Sequence, residues 1–299
     1  SHIQGDYPLV EETSRHLVAA GGKRLRPLLT LLASHYGDKN RFGIIESAVV
    51  CELTHVATLY HDDVMDEARL RRSVESANSR WGNTVAILTG DYLFAKVSAL
   101  LADIGPEAVR LQASTFERLV IGQIMETQGP QNGEDALEHY LQVVADKTGS
   151  LIATSARFGA LLSGANAQTV EALTKFGEKI GVAFQVADDL LDVTSDETAS
   201  GKTPGTDLKE GVPTLVTLYV IAANNPDDND LITKLKGPIS ENDLSGVITQ
   251  LRSHKALTDV KDYLAKVAKE ANDLLVDLPE GSAKEALKSL TFALVNRSS

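Results

Sequence analysis

Residues 44–66 read IIESAVVCELTHVATLYHDDVMD. Apolar side chains fall at Ile45, Val49, Leu53, Val56, Tyr60 and Val64, the three-to-four spacing of one helical face. The stretch predicts a long amphipathic helix that ends in an acidic cluster, Asp62-Asp63-Val64-Met65-Asp66. Residues four apart on a helix share a face, so Asp62 lies over Asp66, and stacked like charges destabilise the helix that carries them. A second copy, Asp188-Asp189-Leu190-Leu191-Asp192, sits in another apolar helical pattern. One such cluster is more often a solvated helix face than a site. Two copies point to something cationic that neutralises both. Hard divalent cations take oxygen ligands, and magnesium is often shared between carboxylates and substrate phosphates.

Outward from these clusters, helical periodicity continues and period-2 alternation is scarce. Breakers at Gly21-Gly22, Gly37, Gly82, Gly105-Pro106, Gly129-Pro130, Gly164, Pro226, Gly237-Pro238 and Pro279 leave segments of helix length between them. The expected fold is all-α, a single large helical bundle around a central substrate cavity. No composition shift marks a boundary, so one domain is expected over 1–299, with 226–299 a C-terminal helical cap. Asn83 is the expected N-cap of a helix over 84–102, with Gly105 its stop. Gly90 inside that helix implies close packing against a neighbour. Residues 195–213 read as a loop over the second acidic cluster. The flanks of the two clusters do not match, which argues against internal duplication. Ser1-His2 reads as the scar of a cleaved tag, so a longer natural N-terminus is expected.

The 299 residues carry 29 Lys plus Arg against 41 Asp plus Glu, a net charge of −12. That balance argues against a nucleic-acid partner. It leaves room for an anionic substrate, since local basic clusters can dominate a cleft. The one cysteine, Cys51, excludes an internal disulfide and a cysteine-built metal site, and suggests a reducing cytosol. No apolar run is expected to reach the ~18 residues of a membrane-spanning helix.

Chemistry gathers around the clusters. Asp62 shares its stripe with Thr58 and His55. Gln185 lies three before Asp188, and Gly181 is expected to leave a smooth surface beyond it. Two such helices facing each other would make a cavity with an acidic rim and a small-residue wall. Basic residues complete the pattern. Gly21-Gly22-Lys23-Arg24-Leu25-Arg26-Pro27 places three cations after a flexible glycine pair, with Lys23 and Arg26 able to share a face. Arg71-Arg72, Lys147-Thr148 and Lys202 follow. Arginine suits phosphate through its planar fork and lysine as a point charge. Acidic pairs for metal and scattered cations imply a substrate with several phosphate oxygens.

The chain resembles the trans-prenyl diphosphate synthases, the chain-elongating isoprenoid enzymes. The resemblance rests on GGKRLRP at 21–27, HDDVMDEARLRR at 61–72, GDYLFA at 90–95, KTG at 147–149, FQVADDLLD at 184–192 and GKTPGTDLKEG at 201–211. It covers most of the chain up to about residue 220 and implies the isoprenoid synthase fold. It implies that Asp62, Asp66 and Asp188, supported by Asp63, Asp189 and Asp192, hold two or three magnesium ions that bridge an allylic diphosphate. Arg71, Lys147, Thr148, Gln185 and Lys202 would surround that substrate, with Lys147 counted among the catalytic groups. Lys23, Arg26, His55 and Arg72 would form the isopentenyl diphosphate pocket. Metal and cations stabilise the departing diphosphate, the allylic bond ionises, and the second substrate attacks. His61 is expected to be structural, and Asp91 to be buried beside Gly90. Ser73 and Val212 depart from the family, which often has glycine and lysine there.

Short-chain members of the family carry aromatic residues four or five positions before the first Asp. Here Thr58 and Ala57 stand there, with Thr54 and Cys51 deeper. None can plug a tunnel, so by analogy the expected product is an all-trans chain of about seven to ten isoprene units, the length of a quinone side chain. The alternatives are a farnesyl or geranylgeranyl diphosphate synthase and a class I terpene cyclase. A clean second Asp motif disfavours the cyclase. Retention of both motifs disfavours a non-catalytic partner subunit, and the absence of Glu-x-x-His pairs disfavours a di-iron bundle. The resemblance also implies a homodimer; a cytoplasmic location is expected from the cysteine usage, with membrane association during product release left open.

Overall fold

The computed structural model describes residues 7–195 and 204–296. Their helices are α1 (Pro8–Ala19), α2 (Leu25–Ser34), α3 (Ile44–Met65), α4 (Ala77–Trp81), α5 (Asn83–Ile104), α6 (Pro106–Gln128), α7 (Ala136–Val144), α8 (Ser150–Ser163) and α9 (Ala167–Thr194). Then come α10 (Thr206–Glu210), α11 (Leu215–Ala223), α12 (Asn229–Lys234), α13 (Glu241–Ser253), α14 (Lys255–Asp273) and α15 (Ser282–Asn296). The chain divides into two compact units, Ser1–Phe116 with Thr154–Leu173, and Glu117–Ala153 with Thr174–Ser299.

In the first unit α3 starts at Gly43, whose left-handed φ of 94° suits glycine and whose N–H donates to Glu46 Oε2 at 3.0 Å. The expected stripe is buried at Leu53, Val56 and Tyr60, but Ile45 is 58% exposed. Ala48, Cys51, Thr54 and Ala57 are buried as well, so most of the circumference of α3 is covered. Gly90 allows the approach of α5. A Cβ there would strike the His61 ring and come within 3.1 Å of the Ala57 carbonyl oxygen. Thr30 of α2 donates to the Ser155 carbonyl at 2.9 Å, and Gly159 leaves space for the Thr30 carbonyl.

Three expectations need correction here. The cap of α5 is Gly82, with φ 84° and ψ 159°, and Asn83 is the first helical residue. That conformation is open to glycine and closed to asparagine, so the boundary moves by one. The 22 residues of α5 are also long and apolar enough to cross a membrane by length and composition. Its apolar content is explained in part by its packing along α3 and by the burial of Leu93, Val97 and Leu101. Asp91 is exposed, with its Oδ1 3.5 Å from His61 Nε2.

A small antiparallel hairpin, unforeseen from periodicity, follows α3. Its strands β1 (Leu70–Arg71) and β2 (Val74–Glu75) pair Leu70 with Glu75 and Arg71 with Val74. Arg72 and Ser73 make the two-residue turn at φ 54° and 63°. Such turns favour Asn-Gly, so Arg72 and Ser73 hold a left-handed conformation that glycine adopts more readily.

In the second unit, α7 is capped by Asp135, which accepts from the N–H groups of Leu137 and Glu138 at 2.9 Å. It runs into a π-helical turn, Ala145–Gly149, which leads directly into α8. Gly181 of α9 does not leave a smooth open surface. It is buried, and a Cβ there would lie 2.5 Å from Gly149 Cα, so two glycines let α9 and the π turn touch backbone to backbone. The segment expected as a loop contains α10. Residues 226–296 are helical as expected, with α13 and α14 capped by Ser240 and His254.

Candidate active site

In the first unit, Asp62 and Asp63 lie in the last turn of α3 and Asp66 is its C-cap. Asp62 is half-buried, Asp66 exposed and Asp63 fully buried. Asp63 Oδ1 accepts from Arg71 Nε at 2.5 Å, while its Oδ2 is buried without a hydrogen-bond partner. Desolvation pushes the Asp63 carboxyl above its ordinary pKa, and Arg71 opposes that shift. Arg71 Nη2 is also 3.7 Å from Asp66 Oδ2. An orphaned carboxylate oxygen in a set of oxygen-only donors suits a hard divalent cation.

The basic residues gather around His55. Burial pushes its pKa well below the ordinary value, and Arg26, Arg72, Arg71 and Arg24 push it further. The imidazole is therefore neutral among guanidinium groups. Burial also lowers Arg26 to about 10, with Glu52 opposing, and Arg26 Nε is buried without a partner. Cations that depress one another are relieved by an anion. Arg24 pairs with Glu52 and donates through Nη2 to the Val18 carbonyl at 2.5 Å. Arg24 adopts φ 50°, and α2 begins only at Leu25, so Lys23 precedes the helix and does not share a helical face with Arg26. Arg72 donates to the carbonyls of Leu17, at 2.7 Å, and Gly21, and a Cβ on Gly22 would lie 3.0 Å from its guanidinium. Arg72 thus straps the glycine loop.

Below Asp62, Thr58 is half-buried and donates to the His55 carbonyl at 2.9 Å. Ala57, Thr54 and Cys51 are fully buried. Burial pushes the Cys51 thiol up to about 11, against hydrogen bonding from Ser155 and Thr30.

In the second unit, Asp188 and Asp192 are half-buried and Asp189 is buried. Asp189 accepts from Tyr140 Oη at 2.5 Å and from Gln185 Nε2 at 3.0 Å. Burial raises its pKa to about 6 despite both hydrogen bonds. Gln185 Oε1 in turn accepts from Thr148 Oγ1 at 3.2 Å. Thr148 and Lys147 sit on the π turn, a distortion often found at functional sites. Lys147 pairs with Glu126. Asp192 receives the N–H groups of Thr206 and Asp207 at 3.1 and 3.2 Å, so it tethers the start of α10. Arg252 donates to the carbonyls of Val193 and Ser195 at 2.9 and 2.7 Å and holds the end of α9. Lys202 lies outside the described residues.

Among the described residues, no three His, Cys, Asp or Glu side chains are gathered as a ready metal site. Sequence reading missed Tyr140, Gln112, Arg118, Asp146, Glu126 and Arg252. Arg118 binds buried Asp146 at 2.7 Å and Glu178 at 2.9 Å, supporting the π turn. These residues belong to no quoted motif, and only the tertiary fold brings them to their partners.

The polyprenyl synthetase family profile matches residues 7–253. A nonaprenyl diphosphate synthase of Mycobacterium tuberculosis is 45% identical over 97% of this chain and 87% of its own length. A geranylgeranyl pyrophosphate synthase of Corynebacterium glutamicum, solved with calcium and isoprenyl diphosphate, has TM-score 0.88 and 41% identity over 99% of this chain and 91% of its own. A decaprenyl diphosphate synthase of Rhodobacter capsulatus has TM-score 0.91 and 30% identity over 100% and 93%. Fold and acidic clusters together define an all-α prenyltransferase with the isoprenoid synthase fold. The chain belongs to the polyprenyl synthetase family, whose enzymes elongate prenyl chains.

Proposed function

We propose that the protein condenses an allylic prenyl diphosphate with isopentenyl diphosphate, head to tail and repeatedly, and that magnesium is required. The observation that carries this reading is shared by both acidic clusters. Each has a buried middle carboxylate locked by partners, with an accessible or half-buried carboxylate on either side. Asp62, Asp66 and Asp188, with Asp63, Asp189 and Asp192 in support, would hold two or three magnesium ions. Bound there, magnesium supplies positive charge that neutralises the departing diphosphate.

The protein's own groups bind and orient. Arg71, Lys147, Thr148 and Gln185, with Lys202, hold the allylic diphosphate. Lys23, Arg26 and Arg72 attract the diphosphate of the second substrate, and neutral His55 offers it a hydrogen bond without adding to the cationic repulsion. No protein nucleophile is needed. Residues 1–299 act as one catalytic domain. The protein works as a cytosolic homodimer, supported by apolar side chains exposed on α5 (Ile87, Leu88) and α6 (Val109, Val120, Ile121, Ile124).

The small side chains at Ala57, Thr58 and Thr54 support a product of about seven to ten isoprene units, by family analogy. A geranylgeranyl-length product is the second reading, supported by the complete burial of Thr54. Incubation with farnesyl diphosphate, isopentenyl diphosphate and magnesium, followed by mass spectrometry, tests both. The expected result is all-trans diphosphates of the longer class. Products that stop at four units favour the second reading, and absence of incorporation with magnesium present refutes elongation by this protein.

A further inference from the structure

The hairpin that carries Arg71 is too small to hold itself. Its ladder is two residues wide, and two antiparallel strands alone are marginal in water. Its turn residues, Arg72 and Ser73, keep left-handed φ values of 54° and 63°, a strain that glycine would avoid. The Arg71 guanidinium nevertheless sits 2.5 Å from Asp63 Oδ1 and 3.7 Å from Asp66 Oδ2. An outside tie comes from α1. Ser76 N–H donates to the Arg69 carbonyl at 3.0 Å, and hydrogen-bonded pairs alternate along an antiparallel ladder. Leu70 and Glu75, one pair nearer the turn, therefore share no ladder bond, and the Glu75 carbonyl points away from β1. His16 Nε2 lies 2.7 Å from that carbonyl oxygen. A carbonyl only accepts, so Nε2 carries the proton and donates. The imidazole is itself set edge-on against the Trp81 ring, with centroids 4.9 Å apart.

Helix α1 is fixed in turn to α3. Tyr60 donates its hydroxyl to the Thr13 carbonyl and accepts the Leu17 N–H at 3.3 Å. Tyr60 and Asp63 are three apart and share a face of α3. The contacts thus close a ring, from Tyr60 through α1 and His16 to the hairpin, and through Arg71 back to Asp63. Arg72 has ties of its own, to the carbonyls of Leu17 and Gly21, and these do not pass through His16. We propose that His16 is a positioning residue, which by holding Glu75 fixes the hairpin and so aligns Arg71, but not the separately strapped Arg72, for substrate. The proposal rests on the roles given above, Arg71 on the allylic diphosphate and Arg72 on isopentenyl diphosphate.

The test is steady-state kinetics with magnesium, with KM measured separately for farnesyl and isopentenyl diphosphates in the wild type, His16→Phe and His16→Gln. Phenylalanine keeps a ring against Trp81 and loses the donor. It should raise KM for farnesyl diphosphate about fivefold, the scale of one hydrogen bond, and leave KM for isopentenyl diphosphate near the wild-type value. Glutamine loses the ring but carries an amide N–H of similar reach, and should bring KM for farnesyl diphosphate back near the wild-type value. A role in packing alone gives the reverse order, with glutamine the worse variant, and that order overturns the proposal. An equal rise in both KM values in His16→Phe, or no rise in either, overturns it as well. If His16→Phe does not fold, His16→Leu, which also lacks the donor, replaces it with the same readings. A wild type that incorporates no isopentenyl diphosphate removes the elongation reading and this inference with it. A wild type that elongates while His16→Phe matches it in both KM values sinks this inference alone.

Discussion

Asp63 and Asp189 hold the same place in their two motifs, and both are buried, yet their partners differ in charge. Asp63 is matched by the Arg71 guanidinium, whereas Asp189 is held by the neutral Tyr140 hydroxyl and Gln185 amide. The third carboxylates differ too. Asp66 is exposed beside Arg71, while Asp192 is occupied by backbone N–H groups at the start of α10. Identical spacing has produced one geometry with two ways of bearing its charge. The first cluster keeps a cation inside itself. The second holds its middle carboxylate with neutral hydrogen-bond donors.

The largest expected effect asks whether the clusters serve one step despite this difference. Asp62→Ala and Asp188→Ala should each lower turnover by about 10²–10³-fold, the loss typical of removing one stabiliser of transition-state charge. Circular dichroism should be unchanged. Near-normal turnover in one variant alone would break the equivalence of the two clusters.

A smaller effect measures the difference itself. Arg71→Ala strands a buried carboxylate and should cost about 3 kcal/mol in denaturant unfolding. Tyr140→Phe removes one hydrogen bond from a carboxylate that keeps Gln185, and should cost about 1 kcal/mol. Equal losses would show that Arg71 and Tyr140 bear their carboxylates alike.

How much of this was legible depended on whether the cause was local. The two Asp motifs, the long α3 and the close packing at Gly90 are each marked by residues within a single helix, and the sequence carries them openly. The hairpin at Leu70–Glu75 was not legible, because it is two residues wide and its turn uses Arg72 and Ser73 where Asn-Gly would have announced it. Tyr140 lies 49 residues from Asp189, and Gln112 lies 58 from Thr54. Partners of buried polar groups are chosen by the tertiary fold, and nothing in the local pattern marks them. Gly181 misled for the same reason. A glycine near a site reads as open wall, but its neighbour turned out to be another glycine.

The contrast between the motif helices continues below the carboxylates, where α9 meets the π turn through glycine and α3 descends into hydroxyls and Cys51. The last prediction concerns that thiol. Its pKa is raised by burial from 9.0 to about 11, so the folded protein keeps the proton where an unfolded chain loses it. Below pH 9 both states hold the proton and Cys51 adds no pH dependence. Between pH 9 and 11 the unfolded chain alone ionises, so stability falls as pH rises, with a slope of up to about 1.4 kcal/mol per pH unit from this group. Cys51→Ala should remove that component while leaving the rest of the alkaline profile in place. Iodoacetamide at pH 8 should label the denatured chain and leave the native one unlabelled, because the thiolate is the nucleophile and Cys51 is fully buried. Rapid labelling of the native protein would show that the lower column of α3 opens to solvent, and the difference between the two helices would then reduce to their carboxylates.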